Sequence, residues 1–149
     1  MQKYLSLLPF IMLVVLAAAS GAQFMPGAWY ASIIKPAWTP PDWLFPIAWT
    51  VLYLMIAIAG WLAWQAGGVG PAVVIWGVGL VLNALWSYFM FGRQDIGLAL
   101  ADVGALWLML AAFIWVTWGL EPRAAYLFLP YLAWVSFAAA LNFAIWRLN

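Results

Sequence analysis

The chain has 149 residues, 70% of them hydrophobic, and carries only five Lys or Arg and four Asp or Glu, for a formal charge of +1. A soluble domain covers its surface with about 25% charged residues, so this composition excludes a water-soluble globule and defines an integral membrane protein. With no His and no Cys there is no imidazole base, thiolate, disulfide or usual zinc or haem ligand, and nothing here offers a basic field or phosphate loop to nucleic acid.

A bilayer core takes roughly 20 apolar residues per helix, so five crossings are the practical ceiling. The first apolar run, residues 4–22, follows Lys3 and is uncharged throughout. It reads as helix one; the alternative is a signal peptide with Lys3 as its basic region and Ser20-Gly21-Ala22 as its cleavage site, against which the length of the run speaks. Residues 23–42 hold Pro26, Gly27, Pro36, Pro40 and Pro41 and read as a long loop, because proline excludes a continuous helix. The density of Trp29, Tyr30, Trp38 and Trp43 argues that this loop is ordered and functional.

Asp42 reads as the N-cap of helix two, residues 43–65, with Pro46 tolerated in its first turn. A Gly-rich turn at 66–70 leads to Pro71, which opens helix three, residues 71–91. Gly92-Arg93-Gln94 form the next turn, Asp95 is an N-cap, and helix four occupies residues 95–118 before Gly119 ends it. Helix five takes residues 124–148, with Pro130 kinking it or marking its true first turn. The expected architecture is therefore a single all-α domain, a five-helix transmembrane bundle with a long first loop. Lys35, Arg93 and Arg147 on one side against Lys3 and Arg123 on the other place the loop and C-terminus in the cytoplasm.

Polar side chains inside a membrane are costly unless they face a partner or a cavity, so they are the first functional candidates. The surplus of thirteen Trp, six Tyr and nine Phe exceeds what two interfacial belts call for, although a belt is the ordinary reading of any single one. Trp49 and Tyr53 share a face of helix two; Asn83, Trp86 and Ser87 share one on helix three. On helix five, Tyr131, Trp134, Ala138 and Asn142 follow one stripe. One reading is a pocket walled by flat rings, with Tyr53, Asn83 and Asn142 orienting a large apolar ligand. The other is hydrogen bonding between helices with no ligand present; the Trp-rich loop favours the first.

Asp102 lies on the face of Asp95, close to two turns deeper. It reads either as a proton or substrate relay or as a carboxylate, ionised or protonated, bonded to a neighbouring helix or reaching toward the interface, and the lack of another ionisable group at its depth favours the second. Small residues recur every fourth position at Gly97, Ala101 and Ala105, and Gly79 leads a similar stripe through Asn83 and Ser87. Either stripe could be a dimer face or close packing within the bundle.

Several motifs carry a family resemblance. They are Trp29-Tyr30, Lys35-Pro36-Ala37-Trp38-Thr39-Pro40-Pro41, Phe45-Pro46-Ile47-Ala48-Trp49-Thr50 with Leu52-Tyr53, Leu82-Asn83-Ala84-Leu85-Trp86-Ser87, and Pro130-Tyr131-Leu132-Ala133-Trp134 with Leu141-Asn142. Together these resemble the translocator protein family, also called TspO/MBR or peripheral-type benzodiazepine receptor. The resemblance implies a dimeric five-helix bundle that binds porphyrins, and in some members sterols and benzodiazepine-type ligands, beneath the first loop. It points to Trp38, Trp49, Tyr53, Asn83, Trp86, Trp134, Ala138 and Asn142 as ligand-binding residues; Tyr131 joins them from its place on the helix-five stripe. It also implies, for Trp49 and Trp134, catalytic roles in a light-dependent breakdown of protoporphyrin.

One departure concerns sterols. Leu141, Phe143 and Arg147 keep the ends of the family's sterol-recognition pattern but put Phe where Tyr is wanted, which speaks against tight cholesterol binding. The end at Asn149 without a long basic tail suits a bacterial member in a bacterial cell membrane, inner or outer. The expected partners are a porphyrin (protoporphyrin or haem) or another large apolar molecule, membrane lipid or sterol, and a second copy of the chain. No metal site and no required cofactor are expected; porphyrin is the ligand. Three function classes stand: a tetrapyrrole-binding receptor or transporter, a porphyrin-degrading enzyme, and a structural bundle whose pocket holds lipid.

Overall fold

The computed structural model describes residues 2–149, and side chains from Tyr4 onward. Among the described residues there are helices and turns and no strand. The first apolar run is not one helix: α1 spans Gln2–Leu5 and α2 spans Leu8–Ala22. The break lies where Pro9 has no N–H to offer the Leu5 carbonyl. Trp61 on a neighbouring helix donates from Nε1 to the Ser6 hydroxyl at 2.9 Å across the break. Beyond it, Phe10, Val14 and Ala17 are buried, and the Phe10 ring meets Trp76 edge-on at 5.3 Å. The run thus packs into the bundle through α2.

The loop carries a short helix, α3 (Ala28–Ser32). Then α4 spans Leu44–Gly67, and its N-cap is Trp43, with no side-chain cap bond. Asp42 is therefore not the cap; the preceding turn closes through the Leu44 N–H donating to the Pro41 carbonyl at 3.1 Å. Gly68, at φ +61°, ends α4 in a conformation that glycine adopts without strain. Helix three is α5, Pro71–Ser87, extended by a wider π turn over Tyr88–Gly92. Asp95 caps α6 (Ile96–Leu120) by accepting from the Leu98 N–H at 2.9 Å. Gly119 does not stop α6. The stop falls at Glu121, which precedes Pro122 and is pushed out of the helical region, at ψ 86°. Pro122 then opens α7, Pro122–Leu148, two residues earlier than expected, and Pro130 sits inside that helix without ending it.

Four of these helices, with 24 to 27 residues in α4, α6 and α7 and 22 in the span from Pro71 to Gly92, are long and apolar enough to cross a bilayer, and the 15-residue α2 is a shorter apolar helix. The packing order follows a ring: α2 lies against α4 and α5, α5 against α6, α6 against α7, and α7 against α4. The last helix therefore fills the gap between α4 and α6. Its inward residues Phe128, Tyr131 and Val135 join Ile56, Leu106, Leu110 and Phe113 in the main core. A second, smaller core of Met90, Ala99, Leu141 and Ile145 lies at the loop end of the bundle, with Tyr30, Phe45 and Phe137 packed on it.

Gly60 lies directly against a neighbouring helix's side chain. A Cβ there would collide with the Trp76 ring, so glycine alone admits the buried indole, whose Nε1 donates to the Ile56 carbonyl at 2.9 Å. Gly79 faces α6, near Leu106 and Met109, while Ala101 is exposed.

Candidate ligand site

The loop is pinned across the end of the bundle by the residues that frame it. Asn149, just past α7, accepts from the Ile34 N–H at 2.9 Å and donates from Nδ2 to the Ile34 carbonyl at 2.8 Å. Lys35 donates to the carbonyls of Tyr30 and Ile33 at 2.6 and 3.1 Å, with its ammonium 4.7 Å from the Tyr30 ring centre. Burial, and secondarily Asp42, push the Tyr30 hydroxyl above its ordinary range and keep that ring neutral beneath the ammonium. Tyr30 in turn meets Phe91 edge-on at 5.4 Å. These contacts order the loop without regular secondary structure over most of its length.

Beneath the loop, aromatic rings touch in series from the surface to the middle of the bundle. Trp38, half-exposed, packs edge-on against Phe137 at 5.7 Å. Phe137 lies 5.9 Å from Trp134, and Trp134 meets Phe45 at 5.8 Å and Trp49 at 6.5 Å. Trp49 continues to Tyr53 at 5.3 Å and to Tyr131 at 6.3 Å, and Tyr131 rests on Phe128 at 5.2 Å. The edge-on geometry of most pairs is the arrangement that ring quadrupoles prefer.

Hydrogen bonds run beside these rings. The Tyr53 O–H donates to Asn83 Oδ1 at 3.2 Å, and Asn83 Nδ2 donates to the Tyr131 oxygen at 2.7 Å, so one amide ties α4, α5 and α7. Nearer the loop, Trp86 Nε1 donates to Asn142 Oδ1 at 3.0 Å, and Asn142 Nδ2 donates to the Ile96 carbonyl at 3.1 Å, tying α5, α7 and α6. Asn83, Tyr131 and Asn142 are buried; Trp49, Tyr53, Trp86, Trp134 and Ala138 are half-buried. Ala138 lies one turn from Trp134 and one from Asn142, where its methyl leaves room between larger neighbours.

The structure thus brings Trp49, Tyr53, Asn83, Tyr131 and Trp134 into one network, with Trp38 joined through Phe137, and Trp86 and Asn142 into a second, while Ala138 stands beside them on α7. It adds Phe45, Phe137 and the Asn149 clamp, none of which the sequence reading chose. Phe45 stands four residues before Trp49 and Phe137 three after Trp134, so the helical spacing already used could have found both; Asn149 has no local signal. Asp102 departs from expectation differently: it is 5% exposed, and its Oδ2 has no hydrogen-bond partner among the described residues, so no neighbouring helix holds that oxygen.

Open apolar grooves lie elsewhere. One of about 450 Å³ runs along the outer face of α6 at Trp115 and Trp118, and one of about 250 Å³ lies between α2 and α4, where Tyr53 forms part of its wall. Among the described residues, no three or more His, Cys, Asp or Glu come together as a metal site would require.

Long apolar helices around a ring-lined, amide-bridged interior define a multi-pass α-helical membrane protein with a candidate site for a flat apolar guest. The chain belongs to the TspO/MBR family, whose sequence profile matches residues 7–147. It is 39% identical over 137 residues to Protein CrtK of Rhodobacter capsulatus, covering 89% of this chain and 86% of that one. It is 41% identical over 132 residues to the tryptophan-rich sensory protein of Cereibacter sphaeroides, covering 89% and 84%. It is also 36% identical over 137 residues to the human translocator protein, covering 87% and 81%.

Proposed function

We propose that this protein binds tetrapyrroles, protoporphyrin or haem, beneath its first loop, as a receptor or transporter in a bacterial cell membrane, with α2 completing five crossings. The observation that carries this reading is the unbroken series of rings from Trp38 through Phe137 and Trp134 to Trp49. A flat macrocycle that parts these rings exchanges ring contacts for stacking on its own faces, while Asn83 and Asn142 supply polar edges to orient it. With no His or Cys to ligate haem iron, binding rests on stacking and edge contacts, and a metal-free porphyrin suits it as well as haem. No cofactor is needed for this. Sterol or benzodiazepine-type ligands are secondary guests of the same site, membrane lipid its background competitor, and a second copy of the chain the partner in the membrane.

A second reading, light-dependent porphyrin degradation, draws support from the direct contact of Trp49 and Trp134 at 6.5 Å. Two oxidisable indoles in edge-on contact beside the guest support transfer of an electron from an indole to an excited macrocycle.

Titration of the purified protein with protoporphyrin tests the first reading. Several of the thirteen Trp line the proposed site, so their fluorescence should be quenched saturably. Only the linear loss that inner-filter absorption gives, matched by a soluble Trp control, would remove the tetrapyrrole reading.

A further inference from the structure

Asp102 is an ionisable side chain held at membrane depth, and such a residue faces a partner or marks a site. It belongs to the inward face of α6, with Ala99, Val103, Leu106 and Leu110 buried along the same face. Two contacts fix its level. Asn142 meets the Ile96 carbonyl, so in the antiparallel α6 and α7 pair Asp102 lies level with the stretch between Val135 and Ala138. Gly79 approaches Leu106 and Met109, so on α5 the level residues run from Asn83 to Trp86. Asp102 is therefore buried at the depth of the ring-lined site, level with Asn83 and Trp86 on α5 and one residue beyond Trp134 on α7, although periodicity alone gave it no task there.

Asn83 at this level, and Asn142 nearer the loop, each have the amide oxygen and one of two N–H groups engaged elsewhere, and the Asp102 Oδ2 is left buried with no bond among the described residues. A carboxyl oxygen in that position accepts a hydrogen bond when the group is ionised, and one oxygen still accepts when the other carries the proton. A flat guest stacked between indoles turns its faces to the rings and its edge to whatever lies between them. The group that suits a buried acceptor is thus a donor in the plane of the guest.

We propose that Asp102 is a hydrogen-bond acceptor subsite of the ring-lined site, selecting planar heteroaromatic guests that carry an in-plane N–H. This rests on the reading that the site takes flat aromatic guests, and not on the guest being a tetrapyrrole.

Carbazole and dibenzofuran test it, since they share a shape and differ in an N–H against an ether oxygen. Their affinities are measured on the purified protein in detergent by equilibrium partition, with empty micelles subtracted. The wild type should prefer carbazole by about tenfold, the ratio expected of one hydrogen bond to a charged or strongly polar acceptor. Asp102→Leu should abolish the preference by weakening carbazole alone, and its thermal transition without guest should not fall, because Oδ2 gives up no bond to the protein. Asp102→Asn, which keeps one acceptor, should retain a reduced preference of about threefold. Equal affinities in the wild type, no binding of either probe, a preference undiminished in the Asn variant, or a marked loss of unliganded stability in both variants would each overturn the proposal. Protoporphyrin titrated in parallel separates the two readings. Its failure with the carbazole preference intact removes the tetrapyrrole and leaves the subsite; the converse removes only the subsite.

Discussion

Asn83 decides whether the buried amides merely hold helices together or also hold a guest. Replacing it by Leu, close in size, deletes the 3.2 Å bond from Tyr53 and the 2.7 Å bond to Tyr131. Side-chain hydrogen bonds between membrane helices average about 0.6 kcal/mol and reach about 1.7 kcal/mol. The short bond joins two buried groups and belongs in the upper part of that range, about 1 kcal/mol; the long one, with Tyr53 half-buried, contributes about 0.5 kcal/mol. Asn83→Leu should then cost about 1–2 kcal/mol in reversible unfolding by SDS in mixed micelles, once the Tyr131 hydroxyl left without its partner is included. Double-mutant cycles with Tyr131→Phe and Tyr53→Phe should give couplings of about 1 and about 0.5 kcal/mol, in that order. Reversed order, or both couplings under about 0.3 kcal/mol, would refute the network. The same variant should weaken protoporphyrin binding by about fivefold or more if the amide orients the guest. A loss of stability with unaltered affinity would assign Asn83 to helix packing alone.

Gly60→Ala should destabilise the fold by about 2 kcal/mol in the same assay, because its Cβ would drive into the buried Trp76 ring; Gly77→Ala, with nothing within 4 Å, should leave stability unchanged or raise it slightly. Equal effects at the two positions would contradict the packing described. Trp38→Ala should weaken porphyrin binding without unfolding the bundle, and Asn149→Ala should speed hydrogen exchange at Ile34 while the turn at Gly67 to Gly70 stays as it was; unaltered exchange and affinity would show that the loop is not a cover. Trp134→Phe keeps a stacking face but loses the indole, so it should slow any light-dependent porphyrin loss more than it weakens binding. Identical photobleaching in the variant and wild type would take Trp134 out of that chemistry.

What the sequence could reveal was whatever is written locally. Asp95 was legible as a cap because a short acceptor before an apolar run has few other uses there. Trp49, Tyr53, Asn83, Trp134 and Asn142 were legible because helical spacing puts them on shared faces, and the structure joins them through rings and amides. Hydropathy was blind to the break before Pro9, since a missing N–H does not change how apolar a segment is. It also misplaced the start of α7, because Glu121 and Arg123 look like a turn, while Pro122 between them is the residue that opens the helix. Phe45 and Phe137 carry no polar group that would mark them as costly in a membrane. The Asn149 clamp joins residues 115 positions apart and leaves no local trace. For Asp102 the depth was legible, but the absence of a bond to Oδ2 depends on how three helices settle around it.

The wedging of α7 between α4 and α6 also sets when the site can exist during synthesis. Chains emerge from the N-terminus, and segments generally settle in that order. Until the final 27-residue helix inserts, Asn83 lacks its Tyr131 partner, Trp86 lacks Asn142, Trp49 has no Trp134 beside it, and Ile34 has nothing to hold it down. The contact network of the candidate site therefore does not grow helix by helix. It closes in one step when α7 inserts, and a chain arrested before Pro122 has most of its helices and none of the contacts that α7 makes with them.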